Sequence, residues 1–214
     1  MIRKHKWELI VSSLVILIPV LVGLILWNRL PSQMPTHWGF DGTADGWSGK
    51  AFAVFGMPLI LLAVHWLCVL ASSADPRHKN YHPKMLALVL WICPVIALVL
   101  STLVYTTALR YPIKVEIIMP LLVGLMFIVV GNLLPKCRQS YTLGIKLPWT
   151  LADEENWDRT HRLAGKLWMV GGLLMFTMPF WGKAGIWIFI ISIFVMVLIP
   201  TFYSYYLYSK RQKS

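Results

Sequence analysis

Three residues able to carry a proton or ligate a cation recur at every fourth position in one short stretch, MPTHWGFDGTADGWSGK (residues 34–50): His37, Asp41 and Asp45. On a helix that spacing would align them on one face. Pro31, Pro35, Gly39, Gly42, Gly46 and Gly49 rule out a helix, so the stretch is expected to be a series of turns, with FDG and ADG closed by their own Asp side chains. One imidazole and two carboxylates could begin a metal site, but they specify no geometry, and no metal is assigned. The reading adopted is a compact, self-capped lid whose rings Trp38, Phe40 and Trp47 fold over neighbouring helices or lie at a membrane interface. His37, Trp38, Asp41, Asp45 and Trp47 are its candidate ligand-recognition residues.

A second pair, Asp158 and His161, has the spacing of a base and its orienting partner. No Ser or Cys nucleophile stands in a matching context, and neither HExxH nor a glycine-rich phosphate loop occurs, so no catalytic residue and no cofactor are expected. His65 is a third candidate, because it lies inside an apolar run. An ionisable group there is a functional candidate by default, either for transport or as a hydrogen-bonding link between helices. Cys68 and Cys93 sit in apolar runs and Cys137 in a polar one, with no metal-ligand spacing and no disulfide expected.

The elements that must position these groups are set by hydropathy. Of 214 residues 57% are apolar and 14% charged, where a soluble domain would carry about a quarter charged. The apolar residues fall into blocks at 9–27, 51–71, 85–109, 117–134, 163–181 and 184–208. Crossing a bilayer takes roughly 20 such residues. Backbone groups in hydrocarbon must be satisfied within the segment, so each block is expected to be a helix. The expectation is an all-α polytopic membrane protein, a six-helix bundle forming one integral domain over 1–214. The first block is read as an uncleaved span: it is too long for a signal peptide, and no cleavage site follows it.

The formal charge of +11 resembles that of a nucleic-acid binder, but its placement fits topology instead. With the N-terminus inside, the clusters Arg3/Lys4/Lys6, Arg77/Lys79/Lys84, the bases of 135–166, and Lys210/Arg211/Lys213 all face the cytoplasm. Only Arg29, Lys50, Arg110, Lys114 and Lys183 remain outside. The positive-inside rule then places both termini in the cytoplasm. No direct contact with nucleic acid is expected, and the expected surroundings are lipid.

Two long polar connectors remain, an extracytoplasmic loop at 28–50 and a cytoplasmic loop at 135–162. Long loops of mixed composition are disproportionately functional. In the second, Pro148 biases Leu147 away from helix, so IKLPWT is expected to be extended. Thr150 with Asp153 resembles a capping box. Asp153, Glu154 and Glu155 fall in a first helical turn. Glu155 with Arg159 and Asp158 with Arg162 are i,i+4 pairs, and Trp157, His161, Ala164 and Trp168 share one face. A short interfacial helix is therefore expected to run into the fifth block.

LPSQMPTHWGFDGTADGWSGK resembles an N-terminal region found in many uncharacterised bacterial membrane proteins. GNLLPKCRQSYTLGIKLPWTLADEENWDRTHRLAGKLWMVGG resembles the core of SdpI-type immunity proteins. Asn132, Gly144, Lys146, Pro148, Trp149, Thr150, Trp157, Thr160, His161 and Arg162 fall in register with that core and are the partner or family-motif residues. Ser140, Lys146 and Leu147 depart from the usual Asn, Arg and Thr. Lysine keeps the charge at 146 but loses the bidentate fork. The resemblance implies a non-enzymatic, multi-pass protein of the bacterial cytoplasmic membrane that protects its cell from a secreted peptide toxin. It also implies signalling, by holding a small transcriptional repressor at the membrane. The alternative is a small transporter or permease component, for which His65 would be the site.

Overall fold

A computed structural model describes residues 1–212; Lys213, counted above among the cytoplasmic bases, lies outside the described residues. The chain divides into two compact units, Met1–Ala74 with Leu86–Val115, and Asp75–Met85 with Glu116–Ser214. Among the described residues, five helices are long and apolar enough to cross a membrane: Lys6–Ile25, Phe52–Ala74, Pro83–Ala108, Val115–Lys136 and Met178–Gln212. The chain is a mainly helical, multi-pass membrane protein.

The first unit holds α1 (Lys6–Ile25), the strands β1 (Gln33–Trp38) and β2 (Ala44–Gly49), α2 (Met57–Ala74) and most of α3 (Pro83–Ala108). α2 is entered through a π-helical turn, Phe52–Gly56, in which the Met57 N–H reaches back five residues to the Phe52 carbonyl. Pro58 explains it: in a regular helix its ring would meet the carbonyl of Val54, and a widened turn relieves that clash. Gly23 of α1 permits close packing, since a Cβ there would stand 2.6 Å from Val54 Cγ1 and 2.7 Å from the Tyr105 hydroxyl. That hydroxyl donates to the Pro19 carbonyl at 2.8 Å. Leu30, Met34, Ala53, Val54, Val104 and Tyr105 form the buried cluster beneath the hairpin.

The two strands correct the expectation of turns alone in an all-α chain. β1 and β2 pair antiparallel from Gln33↔Gly49 to Trp38↔Ala44, with irregularities around His37. Glycine suits this hairpin at two points. Gly42 lies at the tip with φ 77°, a conformation that costs glycine little. At Gly46 a Cβ would approach His37 Cβ to 2.7 Å. Residues that break a helix need not break a two-stranded ribbon.

The second unit holds α4 (Val115–Leu133), α5 (Pro148–Ala152), α6 (Glu154–Met175) and α7 (Gly185–Gln212), with short 3₁₀ turns at His78–Asn80, Leu134–Lys136 and Met178–Ala184. α4 and α6 run antiparallel through two glycine contacts. A Cβ on Gly124 would stand 2.6 Å from the Gly172 carbonyl, and one on Gly131 2.8 Å from the Gly165 carbonyl. Small residues two turns apart on both helices allow this backbone-to-backbone approach. α6 also bonds α7, with Trp168 Nε1 donating to the Met196 carbonyl at 3.2 Å.

The fifth apolar block, 163–181, divides between the second half of α6 and the 3₁₀ turn Met178–Ala184. α6 begins earlier, at Glu154, and its charged first half keeps it out of the five apolar helices.

Candidate functional site

Two polar assemblies are built, one in each unit. In the first, the hairpin is anchored at its base and open at its tip. Lys50 Nζ donates to the carbonyls of Trp27 and Leu30 at 2.9 and 3.1 Å and lies 4.7 Å from the Trp27 ring centre. It thereby satisfies two carbonyls of the turns that follow α1. Toward the tip, His37 Nδ1 bonds Asp45 Oδ1 at 2.5 Å. Asp41 Oδ1 accepts the Thr43 N–H and hydroxyl at 3.0 and 2.7 Å. The His37 and Asp45 side chains are 73% and 51% exposed, and Trp47 and Phe40 are exposed too. Trp38, half-buried, packs on the cluster below. So the structure pairs His37 with Asp45, while Asp41 closes its own turn.

His65 of α2 is fully buried, and its Nε2 bonds the buried Ser12 hydroxyl of α1 at 3.1 Å; Nδ1 has no partner. It joins two helices.

The second assembly is organised by residues that the sequence does not single out. Asp75, one residue past α2, is buried although charged. Its Oδ2 accepts the Tyr141 N–H (2.9 Å), the Thr142 N–H (3.1 Å), the Thr142 hydroxyl (2.9 Å) and the Tyr81 hydroxyl (2.8 Å). Its Oδ1 accepts the Arg77 N–H at 2.8 Å. Burial pushes this carboxyl up, but the donors from Arg77, Tyr81, Thr142 and Tyr141 outweigh burial and hold it below the usual carboxylate range. Burial also pushes the Tyr81 hydroxyl up to about 12. The Asp75 carboxylate therefore pins the loop at 139–143. Arg77 bonds Gln139, whose Nε2 donates to the carbonyls of Thr150 and Leu151 at 2.8 and 2.9 Å. The available signal was an acid placed directly after an apolar run and before a proline, on a face otherwise rich in bases.

The family-motif residues form the rest. His161, 1% exposed, donates from Nδ1 to the Trp157 carbonyl at 2.8 Å and accepts the Ile145 N–H at Nε2 at 2.9 Å. That pairing requires the neutral imidazole, and burial pulls its pKa down to about 4. Its ring stacks on Trp157 at 4.0 Å. Gly144, at φ 99°, leaves no room for a side chain: a Cβ would stand 2.5 Å from His161 Nε2. Trp157 Nε1 donates to the Cys137 carbonyl at 2.7 Å, and burial pushes the Cys137 thiol up to about 12. Asp158 and His161, which have the spacing of a base and its orienting partner, do not bond each other, because both ring nitrogens are committed elsewhere.

Three further expectations are corrected. Leu147 is extended, as Pro148 requires, but Pro148 then opens the helix α5 instead of continuing an extended run. Thr150 is not an N-cap of α6; its hydroxyl accepts the Leu147 N–H and lies 2.9 Å from the Ile145 carbonyl. Asp153 is that N-cap, accepting the Glu155 N–H at 3.0 Å. The Glu155–Arg159 pair forms at 2.6 Å, whereas Arg162 Nε donates to the backbone carbonyl of Asp158 at 3.3 Å.

Asn156, which the sequence left unremarked, is buried. It bonds the Ser204 carbonyl (2.9 Å) and hydroxyl (2.6 Å) of α7 and receives the Thr160 hydroxyl (3.0 Å). Trp149 stacks on Tyr208 and meets Tyr205 edge-on. Lys146 is exposed, with Nζ donating to the Thr142 carbonyl at 3.0 Å; Asn132, Pro148 and Arg162 are exposed as well.

The segment this network ties together, from the neighbour of Cys137 to Ser204, is residues 136–204, and it matches the SdpI/YfhL protein family. Residues 14–62, from α1 through the hairpin into α2, match a domain of unknown function, DUF1648. The chain is 29% identical over 202 residues to the immunity protein SdpI of Bacillus subtilis (strain 168), a likeness that covers 94% of this chain and 96% of that one. No solved structure matches it. The SdpI/YfhL segment thus carries the buried His161–Trp157–Gly144 and Asn156–Ser204 contacts.

Proposed function

We propose that this chain is an immunity protein of the bacterial cytoplasmic membrane, not an enzyme, which protects its cell from a secreted peptide toxin. The observation that carries the reading is the likeness to the immunity protein SdpI along nearly the whole of both chains. The hairpin meets the toxin from outside, through His37, Trp38, Asp41, Asp45 and Trp47. The inner loop offers Lys146 and Arg162 to a small repressor protein inside. In favour of a non-enzymatic role, both ring nitrogens of His161 are bonded to the backbone of Trp157 and Ile145, which leaves neither for Asp158.

We read the topology as six spans with both termini in the cytoplasm. α6 is then a span from about Leu163 onward, and its two glycine contacts with the apolar α4 support this. A charged first half at the inner surface and an apolar second half suit a helix that starts among headgroups.

The test is expression of the full chain in a sensitive bacterium, challenged with concentrated culture supernatant of the source strain. Survival at supernatant doses that kill the empty-vector control is the expected result, and death at the same dose rejects the reading. The transporter alternative predicts substrate flux in proteoliposomes that His65→Ala abolishes.

A further inference from the structure

We propose that the exposed face of the β1–β2 hairpin is a docking surface for a cationic peptide segment that also carries apolar side chains. This rests on the hairpin as the toxin-facing element and adds the chemistry of what it meets.

The first observation is the sign of the charge. In a chain with a formal net charge of +11, the only Asp, Glu, Lys or Arg residues between Pro31 and Gly49 are Asp41 and Asp45. Both are exposed. The next cation, Lys50, is turned toward the Trp27 and Leu30 carbonyls and the Trp27 ring. The hairpin is therefore a local negative patch on a basic protein, and fields of this kind select the sign of an approaching partner.

The second observation is convergence. A Cβ on Gly39 would stand 2.9 Å from Asp41 Oδ1 and 3.5 Å from Asp45 Oδ2, so the two carboxylates flank one bare stretch of backbone. Each is already oriented, Asp41 by Thr43 and Asp45 by His37, which lowers the entropy lost on binding. Beside them, Trp47 and Phe40 are 57% and 66% exposed. Asp45 and Trp47, two apart on β2, share its exposed face. Carboxylates next to aromatic faces suit an ammonium or guanidinium group, through ion pairing and cation–π contact, while the rings accept apolar neighbours.

The charge also disfavours other occupants. An anionic lipid surface or a nucleic acid would meet two carboxylates, and a second copy of this hairpin would present the same negative patch.

The test uses the full-length protein in zwitterionic phosphatidylcholine nanodiscs. Two short synthetic peptides share the same Leu and Trp residues and carry either Lys or Glu at the remaining positions, and both are titrated calorimetrically at low salt. The Lys peptide is expected to bind about tenfold tighter than the Glu peptide. D41N/D45N should bring that ratio close to one, and Trp47→Ala should weaken the Lys peptide while keeping the preference. Equal binding of the two peptides, or a preference unchanged in D41N/D45N, overturns the proposal. Supernatant challenge separates it from the reading beneath. Protection lost in Trp47→Ala but kept in D41N/D45N rejects the cationic partner and leaves the hairpin as the recognition element. Protection kept in both rejects the hairpin and the proposal together.

Discussion

His37 and His161 stand in segments of similar vocabulary, each rich in glycine, tryptophan and short polar residues, and each has a bonded partner at Nδ1. Their surroundings differ in kind. The His37 ring is exposed, and its partner is an exposed carboxylate. The His161 ring is buried, both its nitrogens are bonded to backbone, and a tryptophan face covers it. The inner segment therefore spends its distinctive residues on its own architecture, whereas the hairpin keeps Asp45, Trp47 and Phe40 turned outward above an anchored base. A motif match alone does not separate these uses. Burial and hydrogen-bond commitment do: a side chain whose polar atoms are all occupied within the chain has little left to offer a partner.

The sharpest way to break this contrast is to perturb each segment and compare stability. Trp157→Ala should destabilise the protein by about 3–5 kcal/mol, through a lost buried indole and an orphaned Cys137 carbonyl. Gly144→Ala should be comparably damaging, because the new methyl group meets His161 at a positive φ. Thermal unfolding in detergent checks both, and wild-type melting in either variant would mean that the inner segment is not built as described.

Acidification should act on the same segment. His161 has a folded pKa of about 4, below the unfolded value near 6.5. The unfolded chain therefore takes up the proton first. The stabilising contribution is complete above pH 6.5 and is lost as pH falls from there toward 4, amounting to roughly 3 kcal/mol. Asp75, whose pKa is also depressed, loses its contribution only at lower pH, as it falls through its folded value. A melting temperature that stays flat between pH 6.5 and 4 would contradict a neutral, backbone-bonded imidazole, and His161→Gln should flatten the wild-type profile over that window.

Asp75→Asn should cost about 1–3 kcal/mol, since an amide cannot accept all the donors now converging on the carboxylate. The smallest stability effect is expected in the hairpin. His37→Ala and Trp47→Ala should each change stability by less than about 0.5 kcal/mol, yet Trp47→Ala should abolish protection in the supernatant challenge. A large loss of stability from Trp47→Ala would erase the contrast.

How much of this was legible in the sequence follows from the range of the forces involved. Apolar blocks report helices directly, because in lipid the backbone must bond within its own segment; α1 to α4 and α7 lie where hydropathy places them. The hairpin was missed since Gly39, Gly42, Gly46 and Gly49 forbid a helix without saying whether turns or paired strands replace it, and pairing depends on residues across the turn. Pro58 carried the signal for a π-helical turn, and Pro148 the signal for an extended Leu147. The Asp75 network was illegible, as it joins residues more than 60 positions apart in the chain. The same holds for Asn156 with Ser204, 48 positions apart. For the glycines of α4 and α6, a spacing of seven was readable on each helix, but their register against one another was not.

If the hairpin meets a toxin and the inner loop a repressor, the two segments face opposite sides of the membrane. In a cysteine-free background, Ser48→Cys in the hairpin and Lys146→Cys in the inner loop are treated with a membrane-impermeant maleimide, before and after permeabilisation of intact cells. The predicted result is labelling of Ser48→Cys in intact cells and of Lys146→Cys only after permeabilisation. Labelling of both positions from the same side would contradict it.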